Sequence, residues 1–448
     1  MRRVRIGAGA GFARDRIEPA VELVERGDID YLVFECLAER TIATDQLEKA
    51  RDPAKGFNAG LEARMRAVLG KCHEAGVRIV TNMGSANPLA AARHVARLAR
   101  ELGLDGVRVA AVEGDDVVAR VRTLRAPILE TGESLDVIRS RIVSANAYLG
   151  AAPMVEALGR GADVVVVGRS ADPSLFLAPM MHELGWRADG WRLLGVGTVI
   201  GHLMECAGQI TGGYFADPGY KDVPGLARLG FPIAEVREDG EAFITKVPGS
   251  GGAVTVETAS EQLLYEIHDP AAYVTPDVVA DFTGVELEEI ARDVVRVTGG
   301  DGRPRTDTYK VSVGYRDGFI GEGQLSYAGP GALERARLAA DVVVERLRLQ
   351  RLEASETRVD LIGVDSIHGP EARALAGAPG ATPYEVRIRV ACRTATAEEA
   401  AKVGTEVASL LTNGPAGGAA DAASVREIIA ILSVLLPREA VEPVITMV

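Results

Sequence analysis

Apolar and polar positions follow two periods along the first half of the chain. Short β-branched runs, each closed by a polar residue, give way to segments whose apolar positions recur every three or four residues, the signature of strand followed by helix. The runs predict strands over Val4 to Gly9, Ile29 to Glu35, Val77 to Asn82, Val107 to Glu113, Arg141 to Asn146 and Asp163 to Gly168. "VVVVG" at 164–168 is apolar throughout, as a strand covered on both faces must be. Asn87-Pro88 predicts a capped helix start with Leu89, Ala92, Ala96, Ala99 and Leu102 on one face. Asp172-Pro173 predicts a second, and Leu61, Met65, Val68 and Cys72 form the stripe of a third. The alternation predicts an α/β fold with a mainly parallel, doubly wound sheet, a TIM-like barrel being the alternative.

At "ADPGYKDVPG", 216–225, turn residues crowd together and the rhythm changes. We therefore expect an α/β domain over 1–215 that carries a strand-end site, and an α+β domain over 216–448 that closes its cleft. In the second half "AFITK" reads as a strand, followed by a glycine loop and a helix. "TDTYKVSVGY", "RVDLIGVDS" and "EVRIRVACR" read as further strands, "GALERARLAADVVVERLR" as a helix, and the stretches from 299 and 369 as loops.

Composition narrows the functions. Sixty-three acidic residues against 50 basic ones give a net charge of −13, and no basic cluster is interleaved with aromatics, so nucleic acid is not an expected partner. The late apolar run Ile428 to Leu436 is about half the roughly 18 residues of a membrane span. The basic start Met1-Arg2-Arg3 leads into Gly and Ala rather than an apolar signal core. Cys36, Cys72, Cys206 and Cys392 lack CxxC spacing, so neither disulfides nor a zinc site is expected, and a reducing cytoplasm fits.

Candidate chemistry lies first in "IGAGAGFARD", 6–15. Gly7, Gly9 and Gly11 give G-x-G-x-G, with Phe12 where a dinucleotide fingerprint wants its third glycine. The loop reads as one wall of a cleft, shaped for an anionic or carbonyl group, or as a plain turn. Glu35, Asn82, Glu113, Asn146 and Arg169 end predicted strands, and in an open α/β sheet or a barrel those ends line the ligand crevice. In "GVGTVIGHLMECAGQITGG", 195–213, His202, Glu205, Cys206 and Gln209 share one helical face without Lys or Arg.

Glu35, Glu113 or His202 is expected to transfer protons, with Glu205 assisting and Cys206 as a nucleophile in a lesser variant, while Arg169 holds an anionic group; the spacing of the stripe dictates no metal site. Thr211 and Gly212, just beyond it, join Gly9, Gly11, Gln209, Gly251 and Asn413 as candidate substrate contacts, the last two on glycine loops that read as preceding helices. Lys246, Tyr265, His268 and Tyr309-Lys310 read as structural or solvated, and Asp172 as a local cap.

Several stretches carry a resemblance: "GAGFARDRIEPAVELVERGDIDYLVFECLAERTIA", "IVTNMGSANPLAAAR", "SANAYLGAAPMVEAL", "GRSADPSLFLAPMMHELGW", "GHLMECAGQITGGYFADPGYKDVPGLARLGFPIAEV" and "KVSVGYRDGFIGEGQLSYAGPGA". With "DLIGVDSIHG" and "TNGPAGG" they span nearly the whole chain, which resembles the acyclic terpene utilisation protein A (AtuA-like) family. The resemblance implies a part in bacterial breakdown of acyclic terpenes and branched acids, pathways that handle acyl-CoA thioesters. It transfers no catalytic residue.

Some relatives carry a further small C-terminal domain, so a small partner subunit supplying it is an expectation here, beside a homo-oligomer. The resemblance settles no reaction; from the residues we expect a hydratase, lyase or hydrolase step on an acyl substrate. No cofactor is required beyond coenzyme A as part of that substrate. A non-enzymatic acyl-CoA-binding or scaffold subunit and a nicotinamide oxidoreductase are the alternatives.

Overall fold

The computed structural model describes residues 2–369, 371 and 383–448, so most of the loop expected from 369 lies outside the described residues. Its strands in the first half are Arg3–Ala10 (β1), Tyr31–Phe34 (β2), Arg78–Thr81 (β3), Val109–Glu113 (β4), Ile142–Ala147 (β5) and Val164–Val167 (β6). Each overlaps a run identified from the sequence. Two more, Pro232–Arg237 (β7) and Ala242–Lys246 (β8), follow after residue 216.

β1, β2, β3, β6 and β4 lie side by side and parallel, with Leu32 opposite both Gly7 and Ile79, and Val165 opposite both Val80 and Ala110. Val4, Ile6, Leu32, Val33, Ile79 and Val80 are fully buried, so this parallel block is the core.

Around the block the sheet is mixed, not mainly parallel. β7 joins β1 antiparallel, β8 and the strands Val294–Thr298 and Glu286–Ala291 extend that side, and Val444–Met447 closes the other side against β4. The result is an open ten-stranded sheet and not a barrel. β5 stands off it and pairs with the strand Thr308–Ala328. Antiparallel partners on both flanks supply the hydrogen bonds that further βα units would otherwise supply.

The chain divides into two compact units. One comprises 1–314 with 431–448, the other 315–430. The division thus falls at Gly314/Tyr315, whereas the change of rhythm had suggested 215/216; turn residues at 216–225 mark a switch from parallel to antiparallel pairing within one sheet. In the second unit Ala354–Ile362, Glu385–Thr394, Thr308–Ala328 and Ala419–Pro437 form a sheet. Leu325, Tyr327, Ile388 and Val390 from its strands pack with Ala336, Val343, Val403 and Val407 from the helices Ala332–Leu349 and Ala397–Asn413.

Helix details follow the sequence with exceptions. Leu61, Met65, Val68 and Cys72 are buried in Leu61–Ala75. Pro88 opens Pro88–Glu101, but the Asn87 side chain donates to the Pro53 and Lys55 carbonyls rather than capping, and Leu102 is exposed. No helix among the described residues is long and apolar enough to cross a membrane.

Candidate functional site

The opening glycines serve packing. Gly7 and Gly9 lie inside β1, and a Cβ on Gly9 would come 2.6 Å from the Phe34 ring. Gly11 follows the strand; a Cβ there would lie 2.4 Å from the Cys206 carbonyl carbon, so only glycine lets these two backbones meet. The Gly11 amide donates to Asp15 Oδ2 at 3.0 Å, and is therefore not free for an anionic or carbonyl ligand. The wall-of-the-cleft reading fails at this residue for that reason.

The strand ends do bring polar residues together. Glu35 Oε1, just past β2, accepts from the Leu37 amide at 2.8 Å and from Asn82 Nδ2, past β3, at 2.9 Å. Asn82 Oδ1 in turn accepts from the Cys36 amide at 2.7 Å. Arg169, past β6 and 1% exposed, donates to the Ser170 carbonyl, the Leu37 carbonyl and Asp172 Oδ1, and its guanidinium lies 4.4 Å over the Tyr148 ring.

Asp115 ties in the remaining strand end. Its Oδ2 accepts from the Arg169 amide at 3.0 Å and from Asn146 Nδ2 at 2.8 Å. Asn146 thus joins the cluster although β5 is outside the parallel block. Glu113 takes no part in it: it pairs with Val444 at the sheet flank, two residues short of the acid that does.

The stripe on the helix Trp191–Glu205 is shorter than its periodicity suggested. His202 Nδ1 and Glu205 Oε1 lie 2.9 Å apart, and the imidazole packs against Tyr273 and Phe282 with ring centroids 5.6 Å away in each case. His202 Nε2 and Glu205 Oε2 are buried without a hydrogen-bond partner. The helix stops at Cys206, and Ala207 turns into the left-handed region at φ 44°, so Gln209 sits in a following tight turn rather than on the same face.

The other predicted contacts are structural. Thr211 Oγ1 donates to the Gly208 and Gly230 carbonyls, Gly212 makes a turn at φ 104°, and the Gly251 amide donates to the Arg228 carbonyl. Asn413 lies in the second unit, exposed, at the end of a helix; the loop there follows a helix where the sequence suggested that it precedes one. The Gly249–Gly252 loop does precede the helix Val256–Leu264.

Beside the polar cluster, within the first unit, is a cavity of about 850 Å³. Glu39, Tyr148 and Asp172 line it from the early chain; Glu266, His268, Tyr273, Tyr309 and Lys310 line it from the later chain. Sequence reasoning passed over all of these. His268, Tyr309 and Lys310 had read as structural or solvated, and Asp172 as a cap, yet the helix Asp172–Leu184 is N-capped by Ala171 and the Asp172 carboxylate turns to Arg169. The Arg169–Asp172 spacing of three residues was the available signal.

The electrostatics of this cluster are unusual. Burial pushes the Asp172 carboxyl up to about 7; Arg169 opposes the shift, while the Glu205 and Glu39 charges reinforce it. Burial also drives Glu35 well above the usual carboxylate range, with Asp172 adding to the effect. Burial acts on Glu39 too, but the Arg169 charge and the Tyr148 hydroxyl outweigh it and hold that carboxyl low. Burial raises Tyr273, which keeps its hydroxyl protonated. For His202 burial works downward, yet Glu205 leaves the imidazole above its ordinary value. Among the described residues no group of three or more His, Cys, Asp or Glu is arranged to hold a metal ion.

Comparison with known proteins gives one match. The model of the acyclic terpene utilisation family protein AtuA covers residues 4–447. No curated protein and no solved structure matches the chain. Because the match spans nearly every residue of the sheet, the cavity and the second unit alike, the chain belongs to the acyclic terpene utilisation family AtuA.

Proposed function

We propose that the protein is an enzyme of terpenoid or branched-acid breakdown which moves a proton on an acyl substrate held in the 850 Å³ cavity. The observation that carries this reading is Asp172, a carboxyl facing the cavity whose pKa stands at about 7, where a group both takes and returns protons efficiently. Arg169 fixes one of its oxygens; the other has no hydrogen-bond partner among the described residues.

Lys310 and the protonated Tyr273 hydroxyl line the same space and suit the carbonyl oxygen of a thioester or carboxylate, where negative charge grows as the neighbouring carbon loses its proton. The electron pair left on that carbon is delocalised into the carbonyl, and Asp172 holds the proton until it returns to carbon or to a departing hydroxyl. This is the chemistry of a hydratase or lyase. Family membership supports the substrate class. The acid-rich lining, with Glu39, Asp172, Glu266 and Asp269, suits the acyl end of a thioester and disfavours its phosphates.

The test is to incubate the purified full chain in deuterium oxide with branched unsaturated and β-hydroxy acyl-CoA thioesters and the free acids, and to follow exchange and turnover by mass spectrometry. We expect exchange with members of this panel, rising with pH through about 7, and a loss of roughly 10²- to 10⁴-fold in Asp172→Asn. Equal exchange in Asp172→Asn, or none with any substrate, would overturn the proposal.

A further inference from the structure

A second cavity of the first unit, about 510 Å³, is lined by three arginines from separate segments: Arg14 after β1, Arg40 on the helix Glu39–Arg51, and Arg64 on the helix Leu61–Ala75. Arg14 and Arg40 are exposed, and neither is in a salt bridge among the described residues. Arg64 is 2% exposed. Its Nη2 donates to the Asp15 carbonyl at 2.7 Å and its Nη1 to the Arg16 carbonyl at 3.3 Å, while Nε has no partner. No carboxylate of the described residues lies in salt-bridge contact with it, so a guanidinium is buried here without a counterion, an arrangement that is costly unless an anion completes it.

The acids of the cavity do not fill that role. Asp15 spends Oδ2 on the Gly11 amide and Oδ1 on the Arg16 amide. Asp45 accepts the Ser85 hydroxyl at 2.5 Å, and burial lifts its carboxyl to about 6, easing its charge as the solution turns mildly acidic.

The start of the helix Leu61–Ala75 opens onto the same space. Asn58, Ala59 and Gly60 line the cavity, and a Cβ placed on Gly60 would be 3.9 Å from the unpartnered Arg64 Nε. The Gly60 and Leu61 amides are taken by Asn58, so the helix start adds positive potential to the space rather than free donors at these two residues.

We infer that this cavity is a binding site for a phosphate group, distinct from the Asp172 cavity and argued from residues that the acyl reading does not use. The guanidiniums of three arginines, two of them exposed and unpaired, offer more donors than the two oxygens of a carboxylate can accept, and match the oxygens and charge of a phosphate. The phosphate belongs either to the free ion or to a carrier such as coenzyme A. Glu39, which lines the Asp172 cavity, and Arg40, which lines this one, are consecutive.

The experiment is calorimetric titration of the full chain at low ionic strength with inorganic phosphate, coenzyme A, pantetheine and acetate. Phosphate or coenzyme A is expected to bind and the two phosphate-free probes are not; tighter binding of coenzyme A assigns the site to a carrier, and binding of phosphate alone assigns it to the free ion. Arg14→Gln with Arg40→Gln should weaken binding by about tenfold or more with the melting temperature of the free protein unchanged, which keeps the test valid where Arg64→Gln fails to fold. Asp172→Asn should bind phosphate normally even if its chemistry is lost. Absence of binding by both phosphate-bearing probes, equal binding of acetate, an unaffected double variant, or loss of phosphate binding in Asp172→Asn would overturn the inference.

Discussion

Two arginines, one in each unit, show how the same pairing chemistry serves opposite ends. On the sheet of the second unit Arg389 reaches Glu322 at 2.6 Å on one neighbouring strand and Asp360 at 2.8 Å on the other, with a quarter of its side chain open to solvent. Although partial burial opposes it, the Arg389 charge holds the Glu322 carboxyl low. At the strand ends of the first unit Arg169 is 1% exposed and bonds Asp172, while Glu35 and Glu39 also press on it. Asp172 and Glu35 nevertheless go up. The difference is solvent and stoichiometry: one quarter-exposed cation fully matched by two acids locks strand register, whereas one buried cation shared among several acids leaves a carboxyl poised to titrate.

Removing each arginine breaks the comparison most directly. Arg169→Met leaves the carbonyls of the buried residues Leu37 and Ser170 without their donor, and Asp172 without its partner, so we expect a loss of about 3–5 kcal/mol in urea unfolding. Arg389→Met should cost less, about 1–2 kcal/mol, because Glu322 keeps the Gln324 side-chain amide and Asp360 keeps the Arg358 guanidinium as hydrogen-bond donors. Equal losses would mean that the two pairings are energetically alike.

A smaller effect sharpens the same contrast through pH. Asp172 at about 7 and Asp115 at about 6 bind protons in the folded state over a range where the unfolded chain, with ordinary aspartates, has released them. His202, raised by Glu205, behaves in the same sense. Stability therefore rises as pH falls from about 7.5 toward 5, and it turns down only when the depressed acids such as Glu235 and Glu322 become protonated at lower pH. We expect a melting temperature a few degrees higher at pH 5.5 than at 7.5, and a visibly flatter dependence in Asp172→Asn. A melting temperature that falls steadily below pH 7.5 would contradict the assignment of the buried acids.

The strands were legible because burial on both faces leaves no freedom: "VVVVG" has no other comfortable place, and each of the six early runs is a strand. The antiparallel flanks were not legible, since β7 and β8 carry the same local pattern whether they extend an existing sheet or begin a new one. Glu35, Asn82, Asn146 and Arg169, named from strand-end position alone, are brought together by the fold, yet the same criterion names Glu113 and does not reach Asp115, because the register that turns one inward is set by Gly114 at φ 104° and the Val444 pairing. Lys310 and Tyr273 come from far along the chain, and only tertiary folding brings them to Asp172. Asp172 itself was obscured by its position: an acid before Pro at a helix start has a sufficient local explanation.

The smallest expected effect concerns Cys206. Its thiol shares a neighbourhood with His202, which on spacing alone suggests a base and nucleophile pair. In the fold the imidazole Nδ1 faces Glu205, and burial, with the Glu205 charge adding, drives the thiol far above its ordinary value, so no thiolate is available near neutral pH. Cys206 instead closes the helix and brings its backbone against Gly11. Cys206→Ala should accordingly keep turnover within about twofold, and iodoacetamide should modify the native thiol slowly. A collapse of turnover in this variant, with the fold intact by circular dichroism, would move the proposed chemistry from Asp172 to sulfur and remove the reason for contrasting the acid cluster with the Arg389 ladder.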